Sequence, residues 1–184
     1  MATNKNEPPG NFLYTSVLLE MLVLLPPTQI GTIKTKENLK KTISHYLEGK
    51  CNSEGYVKPN SVLVKNFSSG NIRGGNIEFS VVFECKVCNP MEGTWINKCK
   101  VKSITKAGIH ANAFDELNNI PVTIFIIRDH FVENYHFNRV KEDDIIDVKV
   151  IGSRFELNDP CVEVIGILMP PPKDKQPQQQ QLRK

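Results

Sequence analysis

Lys98, Lys100 and Lys102 alternate with Cys99 and Val101. In a β-strand that period of two puts all three lysines on one face. Lys106 extends the stripe into a turn, and His110, Arg128 and His130 add further cationic or hydrogen-bonding groups. Along the groove of a small barrel, such a stripe tracks the phosphates of a single nucleic-acid strand. The same alternation equally describes a solvated strand face whose lysines protect it from edge-to-edge pairing.

The other reactive groupings carry less chemistry. Cys85 and Cys88 form a lone CxxC with Cys99 further on. On a strand the two cysteines face opposite sides, so buried, inert thiols are the expectation rather than a zinc site. Glu142-Asp143-Asp144 reads as an acidic turn before it reads as a carboxylate metal cluster. His45, His110, His130 and His136 show no ligand spacing, and Asp129 beside His130 does not orient its ring. No Ser or Cys sits in a nucleophile elbow. No catalytic residue, metal or cofactor is expected.

A second candidate site is the glycine-rich connection over residues 66–76, which contains Ser69, Gly70, Asn71, Ile72, Arg73, Gly74 and Gly75. It lies between two predicted strands and reads as a hairpin connection longer than a tight turn, projecting as a tip. Its glycines let backbone approach another surface closely. Ile72 offers an apolar anchor and Arg73 a charged clamp, as at many interface hot spots. No helix follows, so it is not a phosphate-binding loop. A hairpin tip with no partner is the alternative.

The elements that position these residues follow from patterning. Apolar residues make up 40% of the 184 residues, enough to pack a core in one domain or two small ones. Residues 1–11 are polar with Pro8, Pro9 and Gly10, and read as a disordered arm. Residues 12–25 read as a strand stopped by Pro26-Pro27. The apolar run 17–25 is long for one edge strand; it is either a central strand or one covered by a partner. Residues 33–48 read as a helix with Leu39, Ile43, Tyr46 and Leu47 on one face and Gly49 as its stop. Strands at 61–65 and 77–88 follow, the second alternating Ile77, Phe79, Val81, Phe83, Cys85 and Val87 onto one face.

Asn89-Pro90 marks a boundary between an N-terminal unit, 12–90, and a second one, 91–169. In the latter, strands at 93–104, 108–114, 121–128, 145–156 and 161–169 fit a small five-stranded barrel of the OB-fold kind. Residues 170–184, with Pro170-Pro171-Pro172 and a glutamine run, read as a disordered tail. No segment is apolar and long enough to span a membrane, and no secretory leader is evident, so reduced thiols are expected. Residues 91–169 hold 9 Lys+Arg against 12 Asp+Glu, a net −3. That balance excludes strong, charge-driven nucleic-acid binding, and leaves contacts that are local, weak or helped by partners.

This order of parts resembles one family, the larger stalk subunit of archaeal and eukaryotic RNA polymerases (the seventh subunit of polymerase II and its archaeal counterpart). Four segments carry the resemblance. Residues 61–64 through 77–83 are similar to the family's tip hairpin. Cys88-Asn89-Pro90-Met91-Glu92-Gly93 is similar to its interdomain joint. Residues 101–108 are similar to the first barrel turn, and residues 143–154 with 165–169 to the closing strands. The resemblance implies an α+β molecule: a small N-terminal α/β docking domain with a tip hairpin, followed by an OB-fold.

It also implies a non-catalytic subunit of a DNA-directed RNA polymerase. Residues 69–75 would dock on the polymerase core, meeting the largest subunits and a small core subunit near the stalk base. A smaller stalk partner would lie along the flank. The barrel's basic residues would contact nascent RNA weakly and with little sequence preference. The sequence departs from the family at Gly108-Ile109-His110, where many such barrels place an aromatic residue. The N-terminal arm and glutamine tail also depart from it, a divergence similar to versions carried by large DNA viruses. The implied location is the nucleus for a cellular protein, or the virion and host cytoplasm for a viral one. The competing reading is a free-standing OB-fold RNA-binding factor in translation or RNA decay; a small metal-dependent enzyme ranks below it.

Overall fold

A computed structural model describes residues 13–31, 34–128 and 137–170. The expected arm, the tail beyond residue 170, and His130 lie outside the described residues. The first half forms β1 (Thr15–Leu25), α1 (Lys34–Leu47), β2 (Cys51–Asn52), β3 (Gly55–Val57), β4 (Leu63–Phe67), β5 (Asn71–Arg73) and β6 (Asn76–Cys88). The second half forms β7 (Trp95–Ile104), β8 (Gly108–Ala113), β9 (Val122–Ile127), β10 (Ile145–Arg154) and β11 (Val162–Leu168). The described residues are mostly β with one helix.

β6 organises the first sheet. On one side it pairs antiparallel with all of β1, from Thr15 opposite Val87 to Leu25 opposite Ile77. On the other it pairs in succession with β5, β4 and β3. Its alternating Phe79, Val81, Phe83, Cys85 and Val87 are buried, as their period of two requires. Leu39 and Ile43 of α1 pack into the same core. Tyr46, expected on that helical face, is instead 58% exposed. The helix is tied at its start by Thr35, whose hydroxyl accepts the Gly31 N–H at 2.9 Å and donates to the Gly31 carbonyl at 2.8 Å.

Two expectations change here. The apolar run 17–25 is an edge strand: β1 pairs only with β6 among the described residues. Val23 and Leu25 point into the core, whereas Leu18, Leu22 and Leu24 stand exposed on the opposite face. The connection over 66–76 is not a long loop. β5 continues the hairpin against β6, and the reversal is a two-residue turn at Gly74-Gly75. Both glycines hold positive φ, +56° and +83°, which is what a tight hairpin turn demands and other residues resist.

The second half closes into a five-stranded barrel in the order β10-β11-β9-β8-β7, with β11 parallel to β9 and every other pair antiparallel. The closed five-stranded arrangement is compatible with an OB-fold barrel. No expected barrel boundary is displaced by more than two residues. Inward residues such as Ile96, Val101, Ile109, Ile124, Val148 and Val164 fill the interior. β8 and β9 approach closely at Gly108, where an added Cβ would lie 2.1 Å from the Ile126 carbonyl oxygen.

The halves are bonded together. The Cys51 N–H donates to the Asp159 carbonyl and the Asn158 N–H to the Cys51 carbonyl, each at 2.8 Å. The Tyr14 hydroxyl donates to Asp115 at 3.0 Å, and Lys58 pairs with Glu116. Cys51, Tyr56 and Cys88 join the barrel's own core.

Candidate nucleic-acid interface

Strand register decides which side chains meet on the barrel's outer face. His110 of β8 lies opposite Phe125 of β9 and Ser103 of β7, and Phe125 lies opposite Ile165 of β11. These four form one row across four strands. The His110 and Phe125 rings touch, with centroids 4.6 Å apart and planes inclined at 42°. His110 is exposed, Phe125 is half-buried, and Ile165 is 44% exposed. The next row holds Asn112, Thr123 and Glu163. A cleft of about 800 Å³ opens over both rows, with Lys102, Ser153 and Arg154 among its walls. An aromatic face flanked by cations can stack bases and hold phosphates.

The lysine stripe is partly dispersed. Lys98, Lys100 and Lys102 are all exposed and alternate with buried Cys99 and Val101, as their spacing requires. Two irregularities then separate them. Opposite β10, the strand takes an extra residue at Asn97–Lys98, and Lys98 adopts a φ of +57° with its N–H donating to Asp147 at 2.9 Å. Opposite β8, the register shifts again at Lys102. Lys100 turns to the acidic turn and pairs with Asp143 at 2.9 Å. Of the stripe, only Lys102 lines the cleft with His110.

Arg128 does not offer a free cation to a phosphate. Its Nε donates to the Lys106 carbonyl at 2.9 Å and its Nη2 to the Thr105 carbonyl at 3.1 Å. Its guanidinium also lies 5.0 Å from the centre of the Phe137 ring. Arg128 therefore clamps the β7–β8 turn. Lys106 stands exposed on that turn beside a shallow groove shared with Arg128, apart from the main cleft.

Phe125, Arg154, Asn112 and Glu163 escaped the sequence reading. Arg154 is paired with Glu156 at 2.7 Å. The hydrogen bond to Glu156, and then the charges of Glu156 and Glu163, hold its guanidinium more firmly protonated than usual. Such an exposed pair is screened by solvent and yields readily to a phosphate. A signal for Phe125 existed: Thr123, Phe125 and Ile127 alternate with buried Ile124 and Ile126, which fixes their outward face.

The hairpin residues Ser69 to Gly75 lie together along β5 and its turn. Ile72 is 87% exposed, an apolar side chain held out to solvent. Arg73 is engaged by Glu78 of the same hairpin, so it stabilises the tip before it can clamp a partner. Gly70 is needed where it stands: an added Cβ would come 2.3 Å from Ile77.

Cys85 belongs to the first sheet's core and Cys88 to the barrel's, on opposite faces of β6, so the two cannot share one metal ion. Burial pushes the thiols up, Cys85 to about 11 and Cys88 to about 12. Among the described residues no group of His, Cys, Asp and Glu is arranged to hold a metal. No protein-family model matches the chain, and no curated protein matches it.

Proposed function

We propose that this chain is the larger stalk subunit of a multisubunit DNA-directed RNA polymerase, a non-catalytic protein with an OB-fold that contacts nascent RNA. The observation that carries the RNA contact is the aromatic pair His110–Phe125 in a cleft on the second and third strands of a closed five-stranded barrel. That is the face on which OB-folds bind oligonucleotides. Binding is weak, because Lys102 and Arg154 are the cations of the cleft and the surrounding region is acidic on balance.

The N-terminal unit serves as the docking domain. Its hairpin tip presents Ile72 for insertion into the polymerase core, near the largest subunits and a small core subunit at the stalk base. The edge of β1, with Leu18, Leu22 and Leu24 exposed, is the flank on which a smaller stalk partner lies. An unpaired edge lined with leucines is a liability in a lone protein and an asset in a subunit.

The test is affinity purification of the chain, tagged at its C-terminus, from its native source at moderate salt, followed by mass spectrometry. Recovery of the two largest polymerase subunits supports the stalk reading and identifies the polymerase. Recovery of the bare protein, or of RNA or ribosomes alone, overturns it. That outcome favours the free-standing RNA-binding factor, a reading helped by a cleft complete within this one chain.

A further inference from the structure

Stacking and phosphate contacts leave one part of the cleft unused. Asn112 is only 9% exposed, lines the cleft, and has no hydrogen-bond partner among the described residues. Its polar atoms are not sealed off from the cleft, so a ligand that covers them must supply their hydrogen bonds. Asn112 lies opposite Thr123, and Thr123 opposite Glu163. The row thus runs from a carboxamide, across a hydroxyl, to a carboxylate.

The spacing suits one base. Neighbouring strands lie about 4.8 Å apart, so Asn112 and Glu163 flank Thr123 with roughly 10 Å between their backbones. The His110–Phe125–Ile165 row lies two residues away along the strands, about 7 Å. A base stacked on the aromatic pair therefore presents its edge to the polar row.

The donor and acceptor pattern then selects among bases. An ionised carboxylate only accepts hydrogen bonds, and it does so with two oxygens side by side. Guanine alone offers two adjacent donors on its Watson–Crick edge, the N1–H and the 2-amino group, with the O6 acceptor beside them. Uracil offers one donor between two acceptors. Adenine and cytosine each offer one amino group next to an acceptor nitrogen, which faces a carboxylate oxygen with a lone pair.

We infer that this cleft selects guanine in single-stranded RNA, with Glu163 accepting from N1–H and the 2-amino group and Asn112 donating to O6. The inference rests on the RNA reading of the same cleft and replaces its expected indifference to sequence.

The experiment compares binding of the full chain to a short uridine strand and to the same strand with one central guanosine, adenosine or cytidine, by fluorescence anisotropy at fixed moderate salt. The guanosine strand is expected to bind about tenfold tighter than the all-uridine strand, the size of effect a good bidentate base contact gives. Glu163→Gln separates base reading from bulk charge. Reading guanine predicts weaker binding of the guanosine strand and tighter binding of the uridine strand, whereas lost repulsion alone tightens both. Asn112→Ala is expected to lower the guanosine preference while an unchanged circular dichroism spectrum reports an intact barrel. Equal binding of all four strands, or parallel tightening by Glu163→Gln, overturns the inference and leaves RNA binding standing. No binding of any strand overturns the RNA reading and this inference with it.

Discussion

Salt titration separates the cleft from the lysine stripe. For single strands, the logarithm of the binding constant falls with the logarithm of salt at a slope of about −0.7 per phosphate neutralised. Lys102 and Arg154 are the Lys and Arg side chains lining the cleft. Two contacts give a slope of about −1.4, and about a sevenfold loss of affinity between roughly 50 and 200 mM salt. If Lys98, Lys100, Lys102, Lys106 and Arg128 all met phosphates, the slope would approach −3.5 and the loss about 130-fold. The structure argues against the steeper value, because of the stripe only Lys102 lines the cleft and Arg128 is spent on the carbonyls of Thr105 and Lys106. The assay is anisotropy of a labelled uridine strand across that salt range, for the unaltered chain and for Lys102→Ala and Lys100→Ala. Lys102→Ala should flatten the slope by about 0.7, and Lys100→Ala should leave it unchanged. A slope steeper than about −3, or equal effects of the two substitutions, refutes the assignment of phosphate contacts to the cleft.

Arg128→Ala should lower the urea-unfolding free energy by about 1.5–3 kcal/mol without altering the salt slope, and Arg128→Lys should not restore it, since a single ammonium cannot reproduce the fork; an unchanged unfolding midpoint refutes the clamp. Burial holds the Cys88 and Cys99 thiols protonated, raising them from 9.0 to about 12. Because the folded value exceeds the unfolded one, this stabilisation is complete below pH 9 and is lost as pH climbs from there toward 12. Urea midpoints should therefore fall steadily above pH 9, and a flat profile would contradict the burial of these thiols. Leu18→Glu together with Leu22→Glu should change stability by no more than about 0.5 kcal/mol per site, because both side chains are exposed. Under the proposed stalk reading, the pair should nonetheless abolish co-purification of a smaller partner while tip-mediated recovery of the large subunits persists; retention of that partner places it elsewhere.

Local pattern carried the elements of the barrel but not the composition of its cleft. Each barrel strand lies between turn signals, so its limits could be read without knowing its neighbours. β2 and β3 were missed because they are short and are held by distant partners, Val87 and Cys88 on β6 and Asp159 in the barrel. The Gly74-Gly75 turn was obscured by Ser68-Ser69-Gly70, which has a loop's composition although β5 resumes the ladder one residue later. The lysine alternation was right about exposure and wrong about company. Bulges at Lys98 and Lys102 and the proximity of Asp143 are cross-strand facts that no spacing along one strand encodes. Phe125, Asn112 and Glu163 sit on three strands, and only their register brings them together. Asn112 left a trace, as the one amide within an otherwise apolar or small run over 111–114.

β6 is the element that gives the two candidate sites a common frame. It begins at Asn76, beside the Gly74-Gly75 turn, and ends at Cys88 inside the barrel's core. Its 13 residues span about 40 Å at about 3.3 Å per residue. Along that length β1 pairs with it on one side, and β5, β4 and β3 brace the other, so the strut is a sheet rather than a lone strand. At its barrel end the paired backbone bonds between Cys51 and the 158–159 turn, with Tyr14 on Asp115, resist rotation about Asn89-Pro90. Under the proposed stalk reading, a polymerase gripping the tip would therefore set the direction in which the cleft faces. In such an arrangement weak RNA affinity is no handicap, because a tethered cleft meets emerging RNA at high effective concentration.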